Sequence, residues 1–145
     1  MKEKKIGAGI LMIDASTGKV LLQRRCLKGD YPNTWSMFGG TYDKEDGHPK
    51  ETAKREFEEE TKIDIPYKIS TIPIHAYSDN NITFYSYLGL IDSQFPVEID
   101  EESLGYGWFS IDELPENLIP AFKETLDETL PVIKKAIKKN LKEPQ

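Results

Sequence analysis

"AKREFEEET", residues 53–61, places four glutamates, Glu56 and Glu58 to Glu60, within five positions. The stretch reads as part of a helix. Pro49 suits a first helical position, where its missing N–H costs nothing, and Pro66 blocks continuation. A helix over about 49–61 follows, closed by "IDIP" (63–66). On its wheel Glu56, Glu59 and Glu60 fall within one arc, because i, i+3 and i+4 are neighbours on a face. Ala53 and Phe57 sit beside them as the candidate core contacts. Like charges at this spacing repel, by a few tenths of a kcal/mol per pair. The last turns of a helix also disfavour anions. One reading is a solvated acidic face, with Glu58 and Glu59 paired to Arg55; such surface pairs are worth little. The other is an oxygen-ligand site for Mg²⁺ or Mn²⁺, which would cancel both penalties. Spacing alone leaves both open.

The remainder of the chain sets bounds on the answer. Its 145 residues suit one domain with its own core, here 1–145. A hydrophobic fraction of 38% and a charged fraction of 30% fit a globular fold with a solvated surface. The net charge of -6 disfavours broad binding to nucleic acid or to acidic membranes. Cys26 is the only cysteine, so no internal disulfide forms, which points to a reducing compartment. The basic start, Met1 to Lys5, precedes an apolar run, Ile6 to Ile13, that is too short for a secretory segment and reads as a strand. No apolar run is long enough to span a bilayer. The expectation is a cytoplasmic protein.

Ile6 to Ile13 and Val20 to Arg24 read as a hairpin around "DASTGK" (14–19). "TWSMFGG" (34–40) is a short strand entering a glycine pair, and Thr41 to His48 a loop. Ile69 to Tyr77 and Ile82 to Ile91 read as strands. Ser93 to Gly107 reads as an acidic loop, with a short strand at Val97 to Ile99. "GWFS" (107–110) reads as a short strand or corner and "IDELPENL" (111–118) as a short helical turn. From Ile119 to Leu141, apolar residues at spacings of three and four form a stripe, with Lys134, Lys135, Lys138, Lys139 and Lys142 off it. Pro131 is expected to kink this helix or to start a second segment. Strands, helix, strands, helix imply an α/β or α+β sandwich with helices against a mixed sheet.

"GGTYDKEDGHPKETAKREFEEETKI" (39–63) resembles the signature of the Nudix hydrolase family. That signature runs Gly, five residues, Glu, seven residues, then Arg-Glu-apolar-x-Glu-Glu-x-Gly-apolar. Arg55, Glu56, Phe57, Glu59, Glu60 and Ile63 fall in their places. "VLLQRR" (20–25), "TWSMFGG" and "GWFSIDELPENL" (107–118) resemble further parts of the family, so the likeness extends from about Gly7 to Phe122. Three positions depart. Asp46 stands where glutamate is usual, eight residues rather than seven separate it from Arg55, and Lys62 replaces the last glycine.

The resemblance implies an α/β/α sandwich with a mixed sheet packed between helices. It implies hydrolysis of a nucleoside diphosphate linked to another group, with Mg²⁺ as cofactor and Mn²⁺ as an alternative. By matching positions Glu56, Glu59 and Glu60 are metal ligands, joined by the Gly40 carbonyl. Glu59 or Glu56 also positions or deprotonates the attacking water. Arg55 orients the helix carboxylates, and Gly39 lets the backbone approach phosphate. Glu102, six residues before Trp108, is a candidate extra carboxylate, though Asp100 to Glu102 also reads as a solvated run.

Only one of Arg24 and Arg25 can face the cleft, since adjacent strand residues face opposite ways; Arg24 is the candidate phosphate ligand. Trp35, Tyr77, Phe84 and Tyr85 are candidates to stack on a base, against a plainer reading as core aromatics. Trp35 and Tyr77 are carried as substrate contacts. His48 and His75 read as structural or exposed. The first substrate expectation is a nucleoside triphosphate, with ADP-ribose and dinucleoside polyphosphates as alternatives. Many members of the family dimerise, which leaves a homodimer open. A nucleotide-binding sensor with little turnover is the rival reading, motivated by the altered loop carboxylate. An acidic protein–protein module without metal is the third.

Overall fold

Strand β1 (Lys5–Asp14) runs through the middle of the computed structural model, which describes residues 4–141. Along one flank it pairs in parallel with β7 (Ile82–Ile91) over all ten residues. Two antiparallel strands share the other flank. β4 (Phe38–Thr41) takes Gly7 to Ile10, and β2 (Val20–Arg25) takes Met12 and Ile13. β2 carries β3 (Trp35–Ser36) and β8 (Ser103–Phe109), and β7 carries β5 (Lys68–Ile69) and β6 (His75–Ser78). The result is one mixed eight-stranded sheet.

The two faces of this sheet are read off β1, because alternate residues point to opposite sides. Ala8, Ile10 and Met12 join Phe38, Tyr87 and Phe95 under helix α1 (Pro49–Thr61), whose Ala53 and Phe57 are fully buried. Leu11 and Ile13 join Val20, Leu22 and Met37 under helix α2 (Pro120–Asn140), through Phe122, Leu126 and Ile133. Phe57 meets Phe38 edge-on with ring centres 6.1 Å apart. Its truncation to alanine is expected to cost about 3–5 kcal/mol. The α/β/α sandwich expected from the sequence is the observed fold.

Helix α1 begins and ends where its sequence signals put it. His48 caps it, its Nδ1 accepting from the Lys50 N–H at 3.1 Å, and Pro49 is the first helical residue. Lys62, at the position of the family's glycine, takes the left-handed conformation itself (φ 58°), and its N–H reaches the Glu58 carbonyl.

Elsewhere the structure corrects the pattern reading. Ile69 to Tyr77 is not one strand: β5 ends at Ile69 and β6 starts at His75, because Pro73 has no N–H to give a ladder. Ser103 to Gly107 is strand rather than loop, and no strand forms at Val97 to Ile99, although Val97 is buried in the core. Residues 111–118 form turns, not helix. Lys44–Asp46 forms a 3₁₀ turn inside the expected loop. Pro131 starts no second segment, since Leu126 before it and Ile133 after it are held in the same cluster. Met1 to Glu3 of the basic start and Lys142 of the lysine face lie outside the described residues. Among the described residues no helix is long and apolar enough to cross a membrane.

Candidate active site

The α1 carboxylates stand against strand β4. A Cβ built on Gly40 would collide with the Glu56 carboxylate, so glycine here is what lets the helix acid lie on the strand backbone. Glu60 is 7% exposed, and its Oε2 has no hydrogen-bond partner. Burial pushes its pKa up to about 9, helped by a hydrogen bond and repulsion from Glu56 and by the charges of Glu102 and Asp100. Three parts of the chain, α1, β4 and the loop before β8, thus bring carboxylates or backbone oxygens to one place.

Arg55 organises the outer side of this cluster. Its Nη1 donates to Glu56 Oε1 at 2.9 Å and to Glu59 Oε2 at 3.5 Å. Its Nη2 donates to the Thr41 carbonyl at 3.3 Å, tying helix to strand. Its Nε and Nη2 grip Asp46, at 2.8 and 3.0 Å. Asp46 also accepts from Thr52 Oγ1 at 2.7 Å and from the Asp43 N–H at 3.0 Å, closing a capping box around the 3₁₀ turn. The Arg55 hydrogen bonds hold the Asp46 carboxyl well below the usual carboxylate range, and Asp46 in turn raises the guanidinium further above its own. Asp46 thus sits at the end of a 3₁₀ turn with its carboxylate held by Arg55.

A groove of about 1130 Å³ opens from the carboxylates across the sheet. Gly39, Gly40, Glu56, Glu60, Glu102 and Tyr77 line it, as the sequence reading requires of site residues. Four expected residues do not: Arg24, Trp35, Arg55 and Glu59. Arg25, not Arg24, lines the groove: Gln23 and Arg25 share one side of β2, and Arg24 turns away to donate to Asn33 Oδ1 at 2.5 Å. Trp35 packs edge-on against Phe109 at 5.1 Å within the α2 core and lines no part of the groove. Glu59 lies outside the groove lining, its side chain 60% exposed and 3.5 Å from Arg55.

Sequence reasoning also missed the polar floor. Gln23 is nearly buried, donating to the Met37 carbonyl at 3.3 Å and accepting from Ser103 Oγ at 2.9 Å. Ser36, its register partner on β3, is buried too, as is Ser86 on β7. A lone serine within the aromatic run "ITFYSYLGLI" (82–91) was the available signal.

The chain matches the model of the NUDIX domain over residues 3–131. The chain belongs to the Nudix family. Solved Nudix structures share its fold at low identity. The Nudix hydrolase RenU from M. smegmatis is 17% identical, with TM-score 0.75, covering 100% of this chain and 92% of that one. The MutT protein of Methanosarcina mazei Go1 is 20% identical, with TM-score 0.70, covering 95% and 99%. The Nudix domain of Shewanella oneidensis NrtR, solved with ADP ribose, is 16% identical, with TM-score 0.71, covering 92% and 90%. A bifunctional NMN adenylyltransferase/ADP ribose pyrophosphatase from Francisella tularensis was solved with AMP and a manganese ion. It is 16% identical, with TM-score 0.68, and the match covers 92% of this chain but only 43% of that longer one. No protein of curated function matches by sequence.

The residues of this Nudix chain fit a divalent cation. Among the described residues no three acidic, histidine or cysteine groups already close a metal cage, and Glu59 is turned to Arg55. Yet Glu60 keeps a buried oxygen without a donor, pressed against Glu56 and facing Glu102. Hard oxygen donors crowded in this way suit Mg²⁺ or Mn²⁺.

Proposed function

We propose that this Nudix hydrolase is a divalent-cation-dependent pyrophosphohydrolase that cleaves a diphosphate linkage in a nucleotide derivative. A nucleoside triphosphate is the first candidate, and ADP-ribose or a dinucleoside polyphosphate comes next. The observation that carries this reading is the buried Glu60 carboxylate, with one oxygen unpartnered, at the head of a groove that Lys5, Arg25 and Lys28 also line. Carboxylates and cationic side chains in one groove are what a cation-bridged pyrophosphate requires.

Glu56, Glu59, Glu60 and the Gly40 carbonyl are the groups that would hold Mg²⁺ or Mn²⁺. When bound, the cation supplies polarisation of the phosphoryl oxygens and neutralisation of their charge. The chain does the rest. Arg55 fixes Glu56 and restrains Glu59. A carboxylate oxygen of Glu59 or Glu56 accepts the proton of the attacking water. Arg25 offers a guanidinium to a phosphate on the far wall. Glu102, across from Glu60, adds a further carboxylate to the cluster.

A nucleotide-binding regulator with little turnover is the second reading. The exposure of Glu59 outside the groove lining favours it, since a base held outside the groove does little chemistry. One assay separates the two. Phosphate release is measured from the common nucleoside triphosphates, 8-oxo-dGTP, ADP-ribose and a diadenosine polyphosphate, with and without Mg²⁺, for wild type and Glu59→Gln. Release that needs the cation and is lost in the variant is the expected result. Silence across the panel with both proteins folded would move the reading to the regulator.

A further inference from the structure

The register of β2 against β8 slips once. Arg24 faces Gly105, but Arg25 faces Ser103, so Leu104 has no partner on β2. Such a slip turns over the strand beyond it, because successive residues face opposite sides of a sheet. In an unbroken ladder Ser103 would oppose Cys26, two positions from Arg24 and on its side of the sheet. The slip sets Ser103 opposite Arg25 instead, on the side that Gln23 and Arg25 share.

A buried amide uses that placement. Ser103 Oγ donates to Gln23 Oε1 at 2.9 Å, and Gln23 Nε2 donates to the Met37 carbonyl at 3.3 Å. Gln23 is 5% exposed and Ser103 9%. The amide has one usable orientation, since the flipped one would set its oxygen against the Met37 carbonyl. Met37 stands three residues before Gly40, and Ser103 directly follows Glu102. Gln23 thus ties the segment that leads to Gly40 to the turn that carries Glu102. Within that turn the Glu102 N–H donates to Asp100 Oδ1 at 2.9 Å, and the Glu102 carbonyl accepts from the Cys26 N–H at 3.1 Å. These bonds use the backbone of Glu102, and the residue lines the groove together with Glu56 and Glu60.

We infer that Gln23 and Ser103 are positioning residues, which through their buried hydrogen bond hold Glu102 toward the α1 carboxylates. The inference rests on the hydrolase reading and on the place of Glu102 in it. Neither residue has to touch substrate, because both ends of the Gln23 amide are engaged inside the protein. Stability alone does not call for this pair, since two apolar residues of the same shape would pack here with no polar group to satisfy. What the pair adds is direction. A hydrogen bond fixes the start of β8 at one point along β2, where an apolar contact would let the turn shift.

The test reads the turn and the reaction separately. In the metal-free protein Ser103→Ala is expected to speed hydrogen exchange of the Cys26 N–H about tenfold, the loss of one buried hydrogen bond, and to leave the amides of β1 unchanged. With the nucleotide that wild type hydrolyses fastest, the same variant is expected to lose about tenfold in kcat at nearly unchanged KM. Ser103→Thr, which restores the hydroxyl, is expected to recover the rate. In Glu102→Gln, itself slower than wild type, adding Ser103→Ala is expected to lower kcat no further, because the carboxylate that the pair aims is already gone. If Ser103→Ala does not fold, Ser103→Cys takes its place, a weaker donor of similar size. Unchanged exchange at Cys26, full activity in Glu102→Gln, or the same loss from Ser103→Ala with and without the Glu102 carboxylate each overturns the positioning role and leaves the hydrolase. Faster exchange at Cys26 with no hydrolysis by wild type overturns the hydrolase reading, and with it the reaction that the pair serves, while the hold on the turn stands.

Discussion

Asp46 closes both carboxylate oxygens onto one guanidinium: Oδ1 accepts from Arg55 Nε at 2.8 Å and Oδ2 from Nη2 at 3.0 Å. The same guanidinium holds Glu56. Paired forks of this kind set direction as well as attraction, so Asp46, through Arg55, controls the aim of Glu56, a proposed cation ligand. Asp46→Asn is expected to lower activity about 10–100-fold, the usual effect of disturbing a ligand's supporting partner, and to raise the Mg²⁺ concentration for half-maximal rate. Steady-state kinetics against a metal titration checks this. Unchanged metal dependence would reduce the fork to a loop fastener.

Glu60 makes the metal-free protein sensitive to alkali. Its pKa is near 4.5 unfolded and pushed up to about 9 in the fold by burial and by Glu56. The folded state therefore holds a proton that the unfolded chain has released, and stability falls as pH rises between those values. Melting curves without metal from pH 5 to pH 9 are expected to show the decline. In Glu60→Gln the slope flattens, and the variant melts higher than wild type at the alkaline end.

Gly40→Ala places a methyl group where the Glu56 carboxylate lies. The carboxylate is the end of a flexible side chain and moves aside, so the fold is expected to survive. Displacing a ligand should weaken metal-dependent activity by about 10–100-fold. Circular dichroism alongside the rate assay checks both halves. Full activity would show that Glu56 does not need its seat on β4.

Arg25 and Arg24 offer a paired control. Arg25→Ala is expected to raise KM about tenfold, the loss of one charge-assisted hydrogen bond, with kcat changed less. Arg24→Ala, whose side chain turns to Asn33, is expected to behave as wild type. Equal effects from the two would mean that only net charge matters.

Lys62→Gly removes the strain of a left-handed lysine at the end of α1. Stability is expected to rise by about 1 kcal/mol, less what the exposed Lys62 Nζ to Glu59 carbonyl bond contributes. Chemical denaturation reads the difference.

The helix was legible in the sequence because its signals are local: Pro49 at the start, an apolar side marked by Ala53 and Phe57, Pro66 beyond the end. The family likeness then named the glutamates that charge pattern alone left ambiguous. What stayed hidden depends on pairing between distant strands. "SLGYGWF" (103–109) carries two glycines and looks weak alone, yet it lies along the whole of β2. Choosing Arg25 over Arg24 needed the side of β2 that Gln23 occupies. Trp35 looked like a free aromatic because Phe109, its partner, lies far along the chain. Asp46 looked displaced by the insertion because a residue count cannot show the 3₁₀ turn, Lys44–Asp46, that brings its carboxylate to Arg55.

The parallel pairing of β1 with β7 has a kinetic side. Lys5 must wait for Ile82, and Asp14 for Ile91, before the central strand gains its partner along that flank. Pairings this distant in sequence slow folding, since a long loop must close before any contact repays it. During synthesis, most of the chain has therefore emerged before Gly7 of β1 gains Phe84, its partner in register. A product cut short before residue 82 would carry the whole Arg55–Glu60 segment and still have no groove for it to serve.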